Sequence, residues 1–320
     1  MRGLTRPSIT YKPFQYPWAM EMAEDHEKIH WGTWEVKLQE DVNQWKGNDI
    51  TPDEKHHIVQ ILRMFTQSDV QVAQNYADLF IPHFKNNEIR NMLLSFANRE
   101  GTHQRAYALL NDTLGLDESE YSAFLKYKPM SDKMDFIAAG GGTPWDANEV
   151  AYALAQACIN EGVGLFSSFV MLLNFQRFGK MKGMCEVVEW SIRDETKHVE
   201  GMGMLFKEYL KENPRIVDEE FKHYIYDTAR EAVRLEDEVI DLVFESGDME
   251  GLKADEVKEY IRYLTDRRLI QLGLKGNYGI KENPLPWVDW IVAGDSFKNF
   301  FEGTVTDYNA SGMQGEFGWG

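Results

Sequence analysis

The 320-residue sequence is poor in cysteine, proline and positive charge, and each shortage excludes something. Its two cysteines, Cys158 and Cys185, fall in no Cys-x-x-Cys or other thiolate spacing. Neither a disulfide framework nor a thiolate metal site is expected, and a reducing, cytoplasmic setting fits best. Ten prolines, 43% hydrophobic residues and 27% charged residues exclude a disordered or fibrous chain. Lys and Arg number 34 against 52 Asp and Glu, and the net charge of −18 has the wrong sign for gripping phosphate backbones. Nucleic acid is therefore not an expected partner. No uninterrupted apolar run approaches the roughly 18 residues of a membrane span. Met1 to Tyr16 carries two arginines with no apolar run behind them, unlike a secretory signal. The expectation is a soluble protein without a membrane segment.

Strand signals are scarce too, and helical patterns dominate. Thr51-Pro52-Asp53-Glu54 reads as a helix start, with Thr51 as N-cap, Pro52 at the first helical position and Glu54 closing a capping box. That helix should reach about Phe80, where Ile81-Pro82 interrupts it. Further helices are expected from Asn87 to Leu114, stopped by Gly115, and from Asp146 to Phe178, stopped by Gly179. Others should run from about Gly183 to Lys211, Asp218 to Glu245 and Ala254 to Leu272. Gly140-Gly141-Gly142-Thr143-Pro144 lacks the Lys-Ser/Thr of a phosphate cradle and reads as a loop. We expect an all-α domain over residues 1–301 and a flexible, glycine-rich tail over residues 302–320.

Chemistry enters with Glu161, the only charged residue between Val150 and Gln176. A helix so apolar all round is a buried one. A carboxylate inside it must be protonated, paired with a buried Arg, or bound to metal.

Glu-x-x-His puts two ligands on one helix face, and the sequence contains it five times. Glu54/His57 and Glu220/His223 sit in charged first turns, and Glu27/His30 lies in a polar run; these read as solvated faces. Glu100/His103 and Glu195/His198 lie inside long helices. Each of those follows a lone carboxylate one helix earlier: Asp69 precedes Glu100 by 31 residues, and Glu161 precedes Glu195 by 34. Two such antiparallel pairs would bring together Asp69, Glu100, His103, Glu161, Glu195 and His198. This is the ligand logic of a ferritin-like helical bundle with a dinuclear metal-carboxylate site. Oxygen and imidazole donors without thiolate suit two iron or manganese ions, or a mixed pair, better than structural zinc.

Tyr107 follows Glu100 by seven residues, which at about 100° per residue keeps it within some 20° of the same stripe. It is either a hydrogen-bonded core tyrosine or a one-electron relay beside the metals.

Asp69, Glu100-x-x-His103 with Tyr107, Glu161, and Arg193-Asp194-Glu195-x-x-His198 together resemble the radical-generating small (beta) subunit of class I ribonucleotide reductase. Trp31-x-x-x-Glu35-Val36, Glu161-Gly162 through Phe169, Asn283-Pro284-x-Pro286-Trp287-x-Asp289-Trp290, and Asn299 to Glu302 with Tyr308 extend the resemblance from Trp31 to Tyr308. It implies that the dimetal site, with molecular oxygen or a reduced oxygen species, oxidises Tyr107 to a tyrosyl radical. It further implies that Trp31, Asp194 and His103 form a chain toward the surface. Tyr308 would then pass the oxidising equivalent to a large (alpha) subunit, where ribonucleotides are reduced, and the C-terminal segment with Phe317 and Trp319 would dock there. A homodimer is also implied.

One departure stands out: Ser191 lies one turn before Glu195, where an apolar radical pocket is expected. Competing readings are a ferritin-like dimetal oxidase and an iron-storage protein. Neither needs a relay through Trp31, Tyr107 and Tyr308, and storage should build a closed shell.

Overall fold

A computed structural model of the chain describes residues 3–139 and 146–292. Its helices start and stop where local chemistry dictates. They are α1 (Pro17–Lys28), α2 (Gln39–Lys46), α3 (Pro52–Asn75), α4 (Ile81–His83), α5 (Asn87–Leu114), α6 (Glu120–Ala123) and α7 (Lys128–Ala139), then α8 (Ala147–Val163), α9 (Phe166–Leu173), α10 (Lys182–Glu212), α11 (Glu219–Val243), α12 (Ala254–Gln271) and α13 (Pro286–Val292). Among the described residues the only β pairing is an isolated bridge between Met249 and Leu252.

The expected capping box opens α3: Glu54 N–H donates to Thr51 Oγ1 (3.2 Å) and Thr51 N–H to Glu54 Oε2 (2.8 Å). Gly115 ends α5 in the left-handed region at φ 74°, as a glycine C-cap does. Asn283 accepts the Leu285 N–H and donates to Asp289, fixing the turn into α13.

Three expectations need correction. Ile81-Pro82 does not interrupt the helix that starts at Pro52: the chain passes through a π-helical turn, Tyr76–Phe80, and Pro82 sits in the first turn of α4, where its missing N–H is tolerated. The helix expected from Asp146 to Phe178 breaks at Gly164-Leu165 into α8 and α9, and the C-terminal end finishes as a 3-10 turn. Arg268, reaching in from α12, donates Nε–H to the Gly162 carbonyl at 3.0 Å, and a Cβ on Gly162 would lie 2.7 Å from that nitrogen. His57 is not on a solvated face: it is buried, with Nε2 3.1 Å from the Gly247 carbonyl oxygen and from Ser246 Oγ. The first turn of α3 rests against the end of the α11 segment. By contrast, His30 and His223 are exposed, as their polar surroundings imply.

α3 packs on α5, α8 on α10, and α5 on α10, while α1 lies along α5, and α11 and α12 close over α8. Residues 147–178 are apolar and long enough to cross a membrane by composition, but the most apolar window is wholly buried in this core. The apolar interior divides into two clusters. One contains Phe65, Tyr107, Val163 and Ile192; the other contains Tyr76, Phe96, Cys158 and Met202. On all four central helices the switch between clusters falls at a polar layer: Asp69, Glu100 with His103, Glu161, and Glu195 with His198.

Close approach of α5 and α10 needs glycine at 201, where an added Cβ would meet the Phe96 ring at 2.7 Å. At Gly203, two residues on, the nearest atom is Gln271 Nε2 at 3.6 Å. Alanine gains about 1 kcal/mol of helix propensity at either site, and overpacking costs about 1–3 kcal/mol only at 201. Gly203→Ala should leave stability unchanged or raise it, and Gly201→Ala should be the weaker of the two by about 1–3 kcal/mol in chemical denaturation.

Candidate metal centre

Six side chains from four helices meet in the polar layer. Asp69, Glu100, His103 and Glu195 form one group, and Glu100, Glu161, Glu195 and His198 a second; within each, the ligand atoms lie within 4.8 Å of one another. All six residues are buried. Glu100 and Glu195 belong to both groups, because their two carboxylate oxygens face opposite imidazoles. Glu100 Oε2 is 3.4 Å from His103 Nδ1, and its Oε1 is 2.9 Å from His198 Nδ1. Glu195 Oε1 is 3.2 Å from His103 Nδ1, and its Oε2 is 3.4 Å from His198 Nδ1. Asp69 stands at one end and Glu161 at the other, its Oε2 3.6 Å from His198 Nδ1.

Asp69 Oδ2, both oxygens of Glu100, Glu195 Oε2 and His198 Nδ1 have no hydrogen-bond partner. Each buried unsatisfied group costs about 1–3 kcal/mol. Their convergence from four helices, with oxygen and imidazole donors and no thiolate, is consistent with a dimetal site, which these six residues would hold.

Electrostatics point the same way. Burial raises the Asp69 carboxyl well above its ordinary range, and His103 only partly offsets it. Glu161 is likewise raised by burial and by the Glu195 and Glu100 charges, against the opposing pull of His198. Burial works against charge on Glu100 as well, but His103 and His198 on either side hold it down at about 2. Burial also opposes a proton on His198, yet Glu195 and Glu100 carry it up to about 10. His103 is raised well above its usual value against burial, by Asp194, Glu100 and Glu195.

The groups behind the two histidines differ. His103 Nε2 is 3.1 Å from Asp194 Oδ2, which also accepts the Trp31 indole N–H at 2.7 Å, while Arg99 Nη1 donates to Asp194 Oδ1 at 2.7 Å. Burial disfavours this charge, but His103, Arg99 and Trp31 hold the Asp194 carboxyl well below its ordinary range. The Trp31 ring stacks over His103 at 6.0 Å and 24°. His198 is backed by neutral His26, their Nε2 atoms 3.2 Å apart. With His198 Nδ1 facing the cluster, His198 Nε2–H donates to His26, and His26 Nδ1–H donates to Ser95 Oγ at 2.7 Å. Burial, first of all, lowers the His26 imidazole to about 2.

Tyr107 is buried, its ring stacked on Phe65 at 4.6 Å and its hydroxyl donating to Ser191 Oγ at 3.1 Å. Burial raises the phenol far above its ordinary value, with the Asp69 charge adding to it. Tyr308, Phe317 and Trp319 lie outside the described residues, as does the Gly140–Gly142 loop.

Three residues of this centre went unread in the sequence. His26 sits in a polar run, but Ala19, Met22, Ala23 and His26 share one buried stripe of α1. Arg99 stands mid-helix beside Glu100. Tyr76 donates its hydroxyl to Glu161 Oε2 at 2.8 Å from the π-helical turn that follows α3, a distortion that the sequence does not announce.

Four helices carrying two buried carboxylate and histidine clusters, consistent with a dimetal site, define a bundle of the ferritin-like class. The family model described as ribonucleotide reductase, small chain, matches residues 8–284, and the chain belongs to that family as a class I small (beta) subunit. It is 42% identical over 97% of its length to a protein of Invertebrate iridescent virus 3 described as a probable ribonucleoside-diphosphate reductase small subunit, covering 86% of that protein. It is 31% identical over 94% of its length to the ribonucleoside-diphosphate reductase subunit beta of Chlamydia pneumoniae, covering 90% of it. The fold is shared with the ribonucleotide reductase R2 subunit from Clostridium botulinum, at a TM-score of 0.81 and 23% identity over 87% of this chain and 89% of that one. It is shared also with Streptococcus sanguinis dimanganese(II)-NrdF, at 0.77 and 18% identity over 90% of this chain and 100% of that one. The chain therefore serves as a ribonucleoside-diphosphate reductase small subunit, a role that implies a large-subunit partner.

Metal entering this centre has to displace protons, because the imidazoles of His103 and His198 and the carboxyls of Asp69 and Glu161 all hold protons more tightly than usual. Affinity for a divalent cation should therefore fall as pH falls, with protons released on uptake, their number set by how many of these groups are protonated. Titration calorimetry in buffers of different ionisation enthalpy reads that number. Uptake with no net proton release would contradict the assignment.

Proposed function

We propose that Asp69, Glu100, His103, Glu161, Glu195 and His198 hold two metal ions per chain, iron first and manganese or a mixed pair also accepted. Tyr107 is the residue oxidised beside them. Tyr76 and His26 act as positioning residues, the first on Glu161 and the second on His198. The chemistry a bound metal pair supplies here is oxidising power drawn from oxygen or a reduced oxygen species, enough to remove one electron from a phenol whose proton leaves with the reduced oxygen.

The rest of the work belongs to the chain. Phe65, Phe169 and the surrounding apolar cluster exclude water and stray reductants from Tyr107. Asp194 holds Trp31 and His103 in one hydrogen-bonded line, with Arg99 balancing the carboxylate charge. That line leads the oxidising equivalent outward from the core, Tyr308 hands it to the large subunit, and the segment with Phe317 and Trp319 docks there. Residues 302–320 are read as the docking tail, the small subunit itself as a homodimer, and the two free, buried cysteines as suited to a reducing cytoplasm.

The observation that carries this reading is the continuous hydrogen-bonded chain Trp31–Asp194–His103, which joins a buried indole to an imidazole of the cluster. A storage protein or an isolated oxidase has no use for a buried indole joined to a metal ligand by a charged hydrogen-bonded link.

Electron paramagnetic resonance tests it. After loading with iron or manganese and exposure to oxygen or a reduced oxygen species, the wild-type chain should give a tyrosyl signal that Tyr107→Phe lacks. Absence of that signal in the wild type under every metal and oxidant, or its survival in Tyr107→Phe, overturns the assignment. For the exit, Tyr308→Phe should keep the radical yet lose turnover with the large subunit; unimpaired turnover removes Tyr308 from the path.

A further inference from the structure

In the reduced protein the Tyr107 hydroxyl is a donor: it gives its hydrogen to Ser191 Oγ at 3.1 Å, and Ser191 Oγ–H in turn goes back one turn of α10 to the Val187 carbonyl oxygen at 2.9 Å. Both residues are buried to about 1% exposure, and around them stand the rings of Phe65 and Phe169. Among the described residues, Ser191 makes the hydrogen bond recorded at this phenol. A serine hydroxyl has one hydrogen and two lone pairs, and the hydrogen rotates freely about Cβ–Oγ.

Oxidation of Tyr107 reverses what the phenol oxygen needs. One electron and the phenolic proton leave together, taken up by the oxygen species that is reduced. The phenoxyl oxygen left behind has no hydrogen and can only accept. Ser191 would then face it lone pair to lone pair unless its own hydrogen turned inward. That turn costs little: position 187 is mid-helix, so the Val187 carbonyl keeps its backbone partner in α10 when the side chain lets go.

We propose that Ser191 is a two-position hydrogen-bond switch for the radical: acceptor to the Tyr107 phenol when it is reduced, and donor to the Tyr107 phenoxyl oxygen when it is oxidised. The rotation moves no net proton. It gives the radical a donor beside the Phe65 and Phe169 rings, withdraws spin density from the oxygen, and holds the ring in place. Ser191 is a positioning residue, since it touches the oxidised side chain but exchanges neither its electron nor its proton. The inference rests on Tyr107 being the radical site.

The test uses the full-length chain equilibrated in heavy water before metal loading and oxidation. High-field electron paramagnetic resonance with deuterium electron–nuclear double resonance should show an exchangeable deuteron coupled to the tyrosyl oxygen. In Ser191→Ala the radical should still form, the deuteron coupling should vanish, and the largest g component should move upward. Ser191→Thr, which keeps the hydroxyl, should restore both. Loss of one hydrogen bond should also shorten the radical lifetime by about fivefold. A wild-type radical with no exchangeable coupling, or a Ser191→Ala spectrum identical to wild type, overturns the switch while leaving Tyr107 as the radical site. No tyrosyl signal in any variant overturns the Tyr107 assignment and the switch with it.

Discussion

The structure is organised around the cost of burying ionisable groups. Four carboxylate side chains and two imidazoles are driven into one buried layer, with several lone pairs turned toward each other and left without hydrogen-bond partners. Hydrophobic burial assembles the helices, because the apolar clusters above and below the layer continue along all four. Each unsatisfied buried group in the layer costs about 1–3 kcal/mol, which the apolar burial above and below it has to offset.

Asp194 converts that local site into something that communicates outward. One carboxylate accepts from Trp31, His103 and Arg99, so an imidazole of the cluster, a buried indole and a guanidinium are fixed by the same two oxygens. The other histidine has a neutral backing in His26 and Ser95. A carboxylate behind an imidazole raises its basicity as a ligand, and a neutral imidazole does so less. The two clusters are therefore unequal, with the carboxylate-backed histidine on the side that faces Trp31.

Much of the site was legible before the fold was known, for a physical reason. Glu161 stands alone in 27 residues of otherwise uncharged sequence, and desolvation makes such a placement costly unless something binds it. The two mid-helix Glu-x-x-His pairs stood out from the other three by their surroundings, and the helix punctuation at Thr51 and Gly115 marked ends that the structure keeps. What escaped depends on tertiary contact. The break between α8 and α9 comes with Arg268 from a helix about a hundred residues later, and the burial of His57 comes from the end of the α11 segment. Tyr76 reaches Glu161 through a π-helical turn, and His26 reaches His198 only once α1 lies along α5. No local pattern encodes these pairings.

Family membership gives the chain its role beside a large subunit, and the geometry seals the acid and histidine layer between two apolar halves, with Trp31 and Asp194 hydrogen-bonded behind His103. Everything in this account depends on the polar layer being a two-ion site. Elemental analysis of the chain reconstituted with iron or manganese and freed of loose metal measures that directly. Two ions per chain are predicted, falling when Glu100 or Glu195, which face both positions, is replaced by alanine. A stoichiometry of zero or one, or a content indifferent to both replacements, would contradict it.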